Sequence, residues 1–404
     1  MKILKDSFIY LAGELVSKIM PFLLLPYISR KLGVEGYGEL SYYQTFAALF
    51  AIFISLSQDG AVTRYFYTYG HRSLDLIVKS GHIYSVLLGF IFIIFAISYN
   101  AHILLYIILN SILGSFISVQ LAIRQCQKRV HSYISIQIFG SFISTIVTII
   151  TLEIYTQNLV EKRIISSLLA NILILIFAYY FYNKKILYKN ISWKIKKYKI
   201  GILYLLGFGI PLVLHHTSGF IKGQIDRVFI YHKFTDADLG LYSMGAQLSS
   251  VLMICIMAIN KATIPYIFDS LKNKRITIRD IHKYFYLSLL LIPIPVLMIH
   301  FIPESLFVWV LGDAFWGVKY YFLSFSISTV LFIPYMLLVN YLFYYGKNKL
   351  ISYSSILSVL SYLILLFYLI NTKISYIPFA SIFGSSIVLP ILYYFTNKVS
   401  KEKE

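Results

Sequence analysis

The chain is 404 residues long, 58% hydrophobic and only 13% charged, with a mean hydropathy of +0.74 and a formal net charge of +19. That balance excludes an ordinary soluble globular enzyme, and such strong apolar excess assigns the basic charge to membrane topology rather than to nucleic acid. Two cysteines, Cys126 and Cys255, make neither a disulfide framework nor a metal site.

A helix crosses a bilayer with about 20 apolar residues. Stretches of that kind fall at 7–29, 40–60, 80–98, 102–122, 133–152, 164–182, 202–224, 241–261, 284–302, 318–340, 350–370 and 375–396. The first follows Met1-Lys2-Ile3-Leu4-Lys5, exceeds a signal-peptide core and precedes no small-residue cleavage site, so it reads as a retained span. The expected fold class is therefore an all-α polytopic membrane protein of about twelve transmembrane helices, in two pseudo-symmetric six-helix halves around a central cavity. Residues 1–182 form the N-terminal lobe, 183–200 a basic cytoplasmic linker and 201–404 the C-terminal lobe. Alternate spacers hold 25 of the 36 Lys and Arg, which predicts both termini on the cytoplasmic side of a bacterial inner membrane. The linker, with seven lysines, sets topology or lies on the anionic inner leaflet.

The halves carry a repeat. Residues 31–41 (KLGVEGYGELS) align with 233–243 (KFTDADLGLYS) at an offset of 202, pairing Lys31 with Lys233, Gly38 with Gly240 and Ser41 with Ser243. A weaker match at the same offset pairs Gln58–Phe66 with Asn260–Phe268. Two halves of like orientation suit a transporter that rocks about a central site.

Four lysines lie within or at the ends of these spans: Lys18, Lys222, Lys261 and Lys319. A lysine facing lipid costs roughly 2.5–3.5 kcal/mol on insertion scales. Such residues are expected to face a cavity or a partner, and a cationic interior suits an anionic cargo. In span seven, His215, Gly219, Lys222 and Asp226 are spaced to share a helical face, His216 flanks it, Arg227 follows, and Pro211 is placed to bend the inner half. Lys222 with Asp226, and Lys18 with Glu14, are i,i+4 candidates for ion pairs. The functional reading makes Lys18, Lys222 and Arg227 the phosphate-binding groups of a groove. Glu14, Asp226, His215 and His216 are then charge partners or coupling-ion groups. The plainer alternative is polar glue between helices. Asp59 and Lys261 occupy equivalent inner ends of spans two and eight, either as an inner gate or as snorkelling charges. Tyr42 and Tyr43, just after the first repeat copy, are the aromatic pair most suited to contact sugar.

Residues 26–38 (PYISRKLGVEGYG) resemble the first outer loop of the Wzx-type polysaccharide-repeat flippases. Residues 224–230 (QIDRVFI) and 239–243 (LGLYS) resemble the seventh-span segment of the same group, within the superfamily of multidrug/toxin extruders and lipid II flippases. The resemblance implies export of an undecaprenyl-pyrophosphate-linked oligosaccharide, such as an O-antigen unit for lipopolysaccharide, between leaflets by alternating access driven by an ion gradient. It implies the lipid bilayer, a polysaccharide polymerase and a chain-length regulator as partners, with no nucleic acid and no cofactor. A multidrug extruder of the same fold is expected to have a more acidic interior. A polytopic polysaccharide polymerase is expected to carry a large arginine-bearing outer loop. The 303–317 spacer holds Glu304 and Asp313 but no arginine, and no P-loop or HExxH grouping marks an enzyme or a metal site.

Overall fold

The computed structural model describes residue 13 and residues 16–71, 73–182 and 195–402. Among these, 11 segments are helical, long and apolar enough to cross a membrane. The predicted span at 7–29 begins outside the described residues. Helix follows from the composition: in a hydrocarbon solvent each backbone N–H and C=O must be satisfied within its own segment, and only the helix does so for a lone stretch of chain.

The chain divides into two compact units, and the change of unit falls inside helices. One unit takes Met1–Leu32 with Tyr42–Thr217, the other Gly33–Ser41 with Ser218–Glu404. The first contains both ends of α1 (Leu25–Ser55), whose middle, Gly33–Ser41, belongs to the second, with α2 (Gln58–Tyr69), α3 (Leu74–Ser98), α4 (His102–Cys126), α5 (Val130–Ile154), α6 (Leu159–Tyr182) and the first part of α7 (Ile195–Lys233). The second contains the rest of α7, then α8 (Asp236–Lys272), α9 (Ile278–Leu289), α10 (Pro293–Phe301), α11 (Glu304–Leu311), α12 (Val318–Val330), α13 (Phe332–Tyr344), α14 (Asn348–Leu369) and α15 (Pro378–Lys401).

The predicted outer loops are mostly helix. Residues 34–55 continue the helix that starts at Leu25, and the only break between them is Gly33, whose φ of 69° suits a residue without Cβ. In the second copy α7 runs to Lys233, and α8 starts at Asp236 under a capping box in which the Thr235 hydroxyl accepts from Asp238 N–H. Glycine and acidic residues in these motifs read as loop; they serve instead as close-packing and capping positions. The 303–317 spacer is likewise structured, with α11 and a 3₁₀ turn at Asp313–Phe315. Two predicted spans are divided: α9 from α10 ahead of Pro293, and α12 from α13 at Leu331, three residues before Pro334.

Within the second unit the two copies of the repeat touch one another. A Cβ on Gly38 would overlap the Asp236 carbonyl, and a Cβ on Gly240 would overlap the Val34 carbonyl. Val34 and Asp236 are themselves one repeat apart, so the contact has local two-fold character: each copy offers the same surface to the other. Ser41 donates to Ser243, its own counterpart, at 2.7 Å.

Other repeat positions do parallel work in separate places. Lys31 bonds Glu153 at the end of α5 (3.0 Å), and Lys233 bonds Asn371 just past α14. In the first unit Gln58 donates to Ser85 of α3 (2.7 Å), which lies 3.0 Å from Ser115 of α4. Its counterpart Asn260 accepts from Asn340 of α13 at 2.8 Å. Between α1 and α2, Leu56 and Ser57 adopt left-handed φ values of 47° and 51°. Gly209 of α7 packs on the backbone of that elbow, where a Cβ would overlap Leu56.

A methyl group at Gly38 or Gly240 has no room except by separating two backbones, and overpacking of this kind costs about 1–3 kcal/mol. Gly38→Ala and Gly240→Ala are each expected to lower the thermal unfolding midpoint of the detergent-purified chain. Gly114→Ala, where a Cβ meets nothing within 4 Å, should leave it unchanged.

Candidate functional site

The part of α7 in the second unit carries two polar groupings, one around Lys222 and one around Asp226 and Arg227. Lys222 donates from Nζ to Ser358 Oγ of α14 at 2.9 Å. The Ser358 hydroxyl proton is committed to the Gly384 carbonyl of α15 at 2.5 Å, which leaves its lone pairs facing the ammonium. Gly384 makes this possible: a Cβ there would sit 2.9 Å from Tyr362 Cβ and 3.1 Å from Ser358 O. Lys222 is half-buried, and beside it on the helix Gly219 and Gly223 are exposed, with nothing within 4 Å of where their side chains would begin. The lysine thus stands next to bare backbone, with Ser358 holding one of its three N–H groups.

One turn on, Asp226 is 3% exposed and turns toward α8. It accepts from the buried Tyr242 hydroxyl and from the Arg227 backbone N–H at 2.9 Å, with the Arg227 guanidinium at 3.7 Å. Tyr362 of α14, against which Gly384 packs, is fully buried. Arg227 also donates to the Gly223 carbonyl at 2.7 Å. The i,i+4 ion pair expected between Lys222 and Asp226 is therefore not formed. A buried carboxylate must be met by several donors, and α8 supplies a tyrosine to Asp226 while α14 supplies the serine to Lys222. Asp226 joins helices; Lys222 is the group left available.

The remaining predicted residues are dispersed. Lys18 is exposed and belongs to the first unit, as do His215 and His216, whose exposed rings lie 5.7 Å apart. Glu14 lies outside the described residues. Asp59, exposed at the start of α2, belongs to the first unit, and Lys261, exposed on α8, to the second. Lys319 reaches the His300 carbonyl at 2.7 Å. Tyr42 and Tyr43 pack edge to face at 5.4 Å. In the first unit a cavity of about 470 Å³ follows one face of α5, from His131 to Phe142. Among the described residues no group of three or more His, Cys, Asp and Glu is arranged to hold a metal ion.

Sequence reasoning missed Ser358, Tyr362 and Gly384, and did not single out Tyr242. Tyr242 lies inside the second repeat copy. Ser354, Ser358 and Ser361 recur at helical spacing in an otherwise apolar span, a legible polar stripe whose partner was not legible.

With this geometry in hand, comparison with known proteins places the chain. Residues 3–271 match a family described as polysaccharide biosynthesis protein, and the chain belongs to that family. Over 99% of its length it is 54% identical to protein 1 of the Lsg locus of Haemophilus influenzae, covering all of that protein. An uncharacterised membrane protein of the same organism is 49% identical over 100% of this chain and 99% of its own length. Among solved structures it shares the fold of MATE-family multidrug resistance transporters of the MOP superfamily. The TM-score is 0.71 to an inward-facing example, at 14% identity and covering 96% of this chain and 98% of that one. It is 0.63 to a MOP superfamily transporter from Pyrococcus furiosus, at 15% identity, with 99% and 95% covered.

Replacing Tyr242 by Phe removes one donor from a buried carboxylate, which costs about 1–3 kcal/mol. Thermal unfolding should show Tyr242→Phe and Asp226→Asn each destabilising the chain. The double variant should lose less than the sum, because both act on one hydrogen bond.

Proposed function

We propose that this protein is a flippase that moves polyprenyl-pyrophosphate-linked oligosaccharide units across the cytoplasmic membrane during surface polysaccharide assembly. The observation that carries the reading is Lys222: a cation at mid-helix, fixed by one neutral serine rather than neutralised by a carboxylate, and flanked by uncovered glycine backbone. In a family of polysaccharide biosynthesis proteins, a pyrophosphate is the cargo group that such a site suits. A lysine binds phosphate as a point charge whose N–H groups reorient freely, which tolerates a ligand that must arrive and leave.

In this reading Lys222 takes the pyrophosphate, while the polyprenyl tail stays in lipid. No bond is made or broken, so an enzyme's acid, base or nucleophile is not required. The fold supports the mode of action: MATE-family transporters of this shape are described in inward-facing and outward-facing conformations. The Pyrococcus furiosus transporter is described by the reverse polarity of its binding pocket and a suggested difference in function. The excess of Lys and Arg in alternate spacers supports cytoplasmic termini and an inner-membrane location.

Deleting the gene in its host should abolish the surface polymer and leave complete lipid-linked repeat units in the inner leaflet. Complementation with Lys222→Ala should fail although the protein is present in the membrane at normal level. Single unpolymerised units on the cell surface would assign the protein to polymerisation, and unchanged glycans with new drug sensitivity would assign it to drug extrusion. A lysine-to-arginine replacement keeps the charge but exchanges a rotating ammonium for a planar fork, so Lys222→Arg is expected to restore partial polymer, measured as polysaccharide per cell.

A further inference from the structure

Each unit holds one histidine that joins two of its helices through a hydroxyl, and nothing in the transport reading uses either. In the first unit His82 of α3 lies with Nε2 3.0 Å from the Tyr179 hydroxyl of α6. In the second, His282 of α9 lies with Nε2 3.1 Å from the Thr396 hydroxyl of α15. By order along the chain, α3 and α6 are the third and sixth predicted spans of one half, and α9 and α15 belong to the third and sixth of the other. The pairing therefore recurs between the halves, with different hydroxyl residues.

The hydrogen bonds fix the tautomers. Thr396 donates its own proton to the Tyr393 carbonyl at 2.8 Å, so it can only accept, and His282 Nε2 carries the hydrogen. His82 Nδ1 is buried with no hydrogen-bond partner. A buried lone pair left unmet costs less than a buried N–H left unmet, so the His82 proton also sits on Nε2, toward Tyr179. Each ring is covered by an aromatic, His82 by Phe116 of α4 and His282 by Tyr393 of α15, both at 4.1 Å. None of the ion pairs among the described residues includes either histidine.

The charged and titratable groups around them are as follows. On α3, Lys79 and Asp75 precede His82 by one and two turns and pair with each other at 2.8 Å. On α4 the buried Arg124, two turns beyond Phe116, reaches the Ala178 carbonyl of α6 at 3.4 Å, and Tyr179 and Tyr180 follow Ala178. On α2, Gln58 lies against Gly81, the residue before His82. His282 has Arg279, Asp280, Lys283 and Tyr286 on its own helix, Tyr393 on α15, and Tyr341, Tyr344 and Tyr345 in the cluster that α13 forms with α9.

We propose that His82 and His282 are proton-binding sites, one in each unit, and that protonation opens the α3–α6 and α9–α15 junctions they close. A second proton goes to Nδ1. His82 Nδ1 is buried with no hydrogen-bond partner in the closed junction, so the ring accommodates a second N–H only by admitting water or moving away from Phe116. At His282 the new cation adds to Arg279 and Lys283, and its stack on Tyr393 tempers the effect. An imidazole is the side chain whose charge changes in the physiological range, so a proton gradient can act on these junctions through the two rings.

The test is hydrogen–deuterium exchange of the full chain in nanodiscs at about pH 7.5 and about pH 5.5, either side of the ordinary imidazole value near 6.5, after correction for chemical exchange. Acidification should raise exchange about tenfold in residues 170–180 and 390–400. His82→Gln, which keeps an Nε2 donor but cannot be protonated, should abolish the first response, and His282→Gln the second. A wild-type chain without the acid response, or variants that retain it, would overturn the proposal; a response at α6 alone, lost in His82→Gln, would keep His82 and reject His282. Should a variant fail to fold, nitrogen-15 spectra of the histidine-labelled wild type decide: two rings titrating in step with exchange support the sites, and rings neutral throughout reject them. The readout uses no cargo, so it stands or falls independently of the transport reading.

Discussion

The second unit depends on a contact with almost no side chain in it. Lipid tails are as apolar as leucine, so helices in a membrane gain little from hiding apolar surface against each other; they gain from close backbone approach and from hydrogen bonds. Gly38 and Gly240 supply the approach, each against the carbonyl of the other copy, and Ser41 and Ser243 supply the hydrogen bond. The rest of the cluster follows from where this contact sets α8. Tyr242 is the neighbour of Ser243, and its position delivers a hydroxyl to Asp226. Asp226 is then fully engaged, and the helical turn that aims it at α8 aims Lys222 at α14 instead.

Polar groups at corresponding places of the two halves find partners in duplicate. Lys31 finds a glutamate and Lys233 an asparagine amide; Gln58 finds serines and Asn260 another asparagine; His82 finds a tyrosine and His282 a threonine. Position in each half is preserved while the chemistry of the partner changes. That pattern is what satisfaction of hydrogen-bonding groups in a low-dielectric interior demands, since any donor or acceptor at the right place removes the penalty.

Charge is divided along α7 by what each residue needs. A carboxylate at depth requires several donors and receives them, so Asp226 is an element of structure. An ammonium can be held by one oxygen and keep two N–H groups in reserve, so Lys222 remains able to bind. This division is the basis on which an anionic cargo is proposed. The exposed histidines His215 and His216, which share the helix with Lys222, are in none of the hydrogen-bonded clusters described here, whereas the two histidines embedded in helix junctions are.

Much of this was legible in the sequence. The helical class, the apolar segments, the repeat at an offset of 202 and Lys222 as a charge in a span all follow from hydropathy and spacing, because a bilayer admits few solutions for the backbone. The family resemblance was visible in residues 26–38 and 224–243 as well. Hydropathy marked residues 30–39 as loop, yet close packing against the second copy makes them helix on either side of Gly33, and a one-sequence pattern has no access to what packs on a glycine. The i,i+4 rule named Asp226 as the partner of Lys222. Only the tertiary structure decided otherwise, because partner choice rests on side chains from α8, α14 and α15 that lie far off in sequence and carry no local signal of their own.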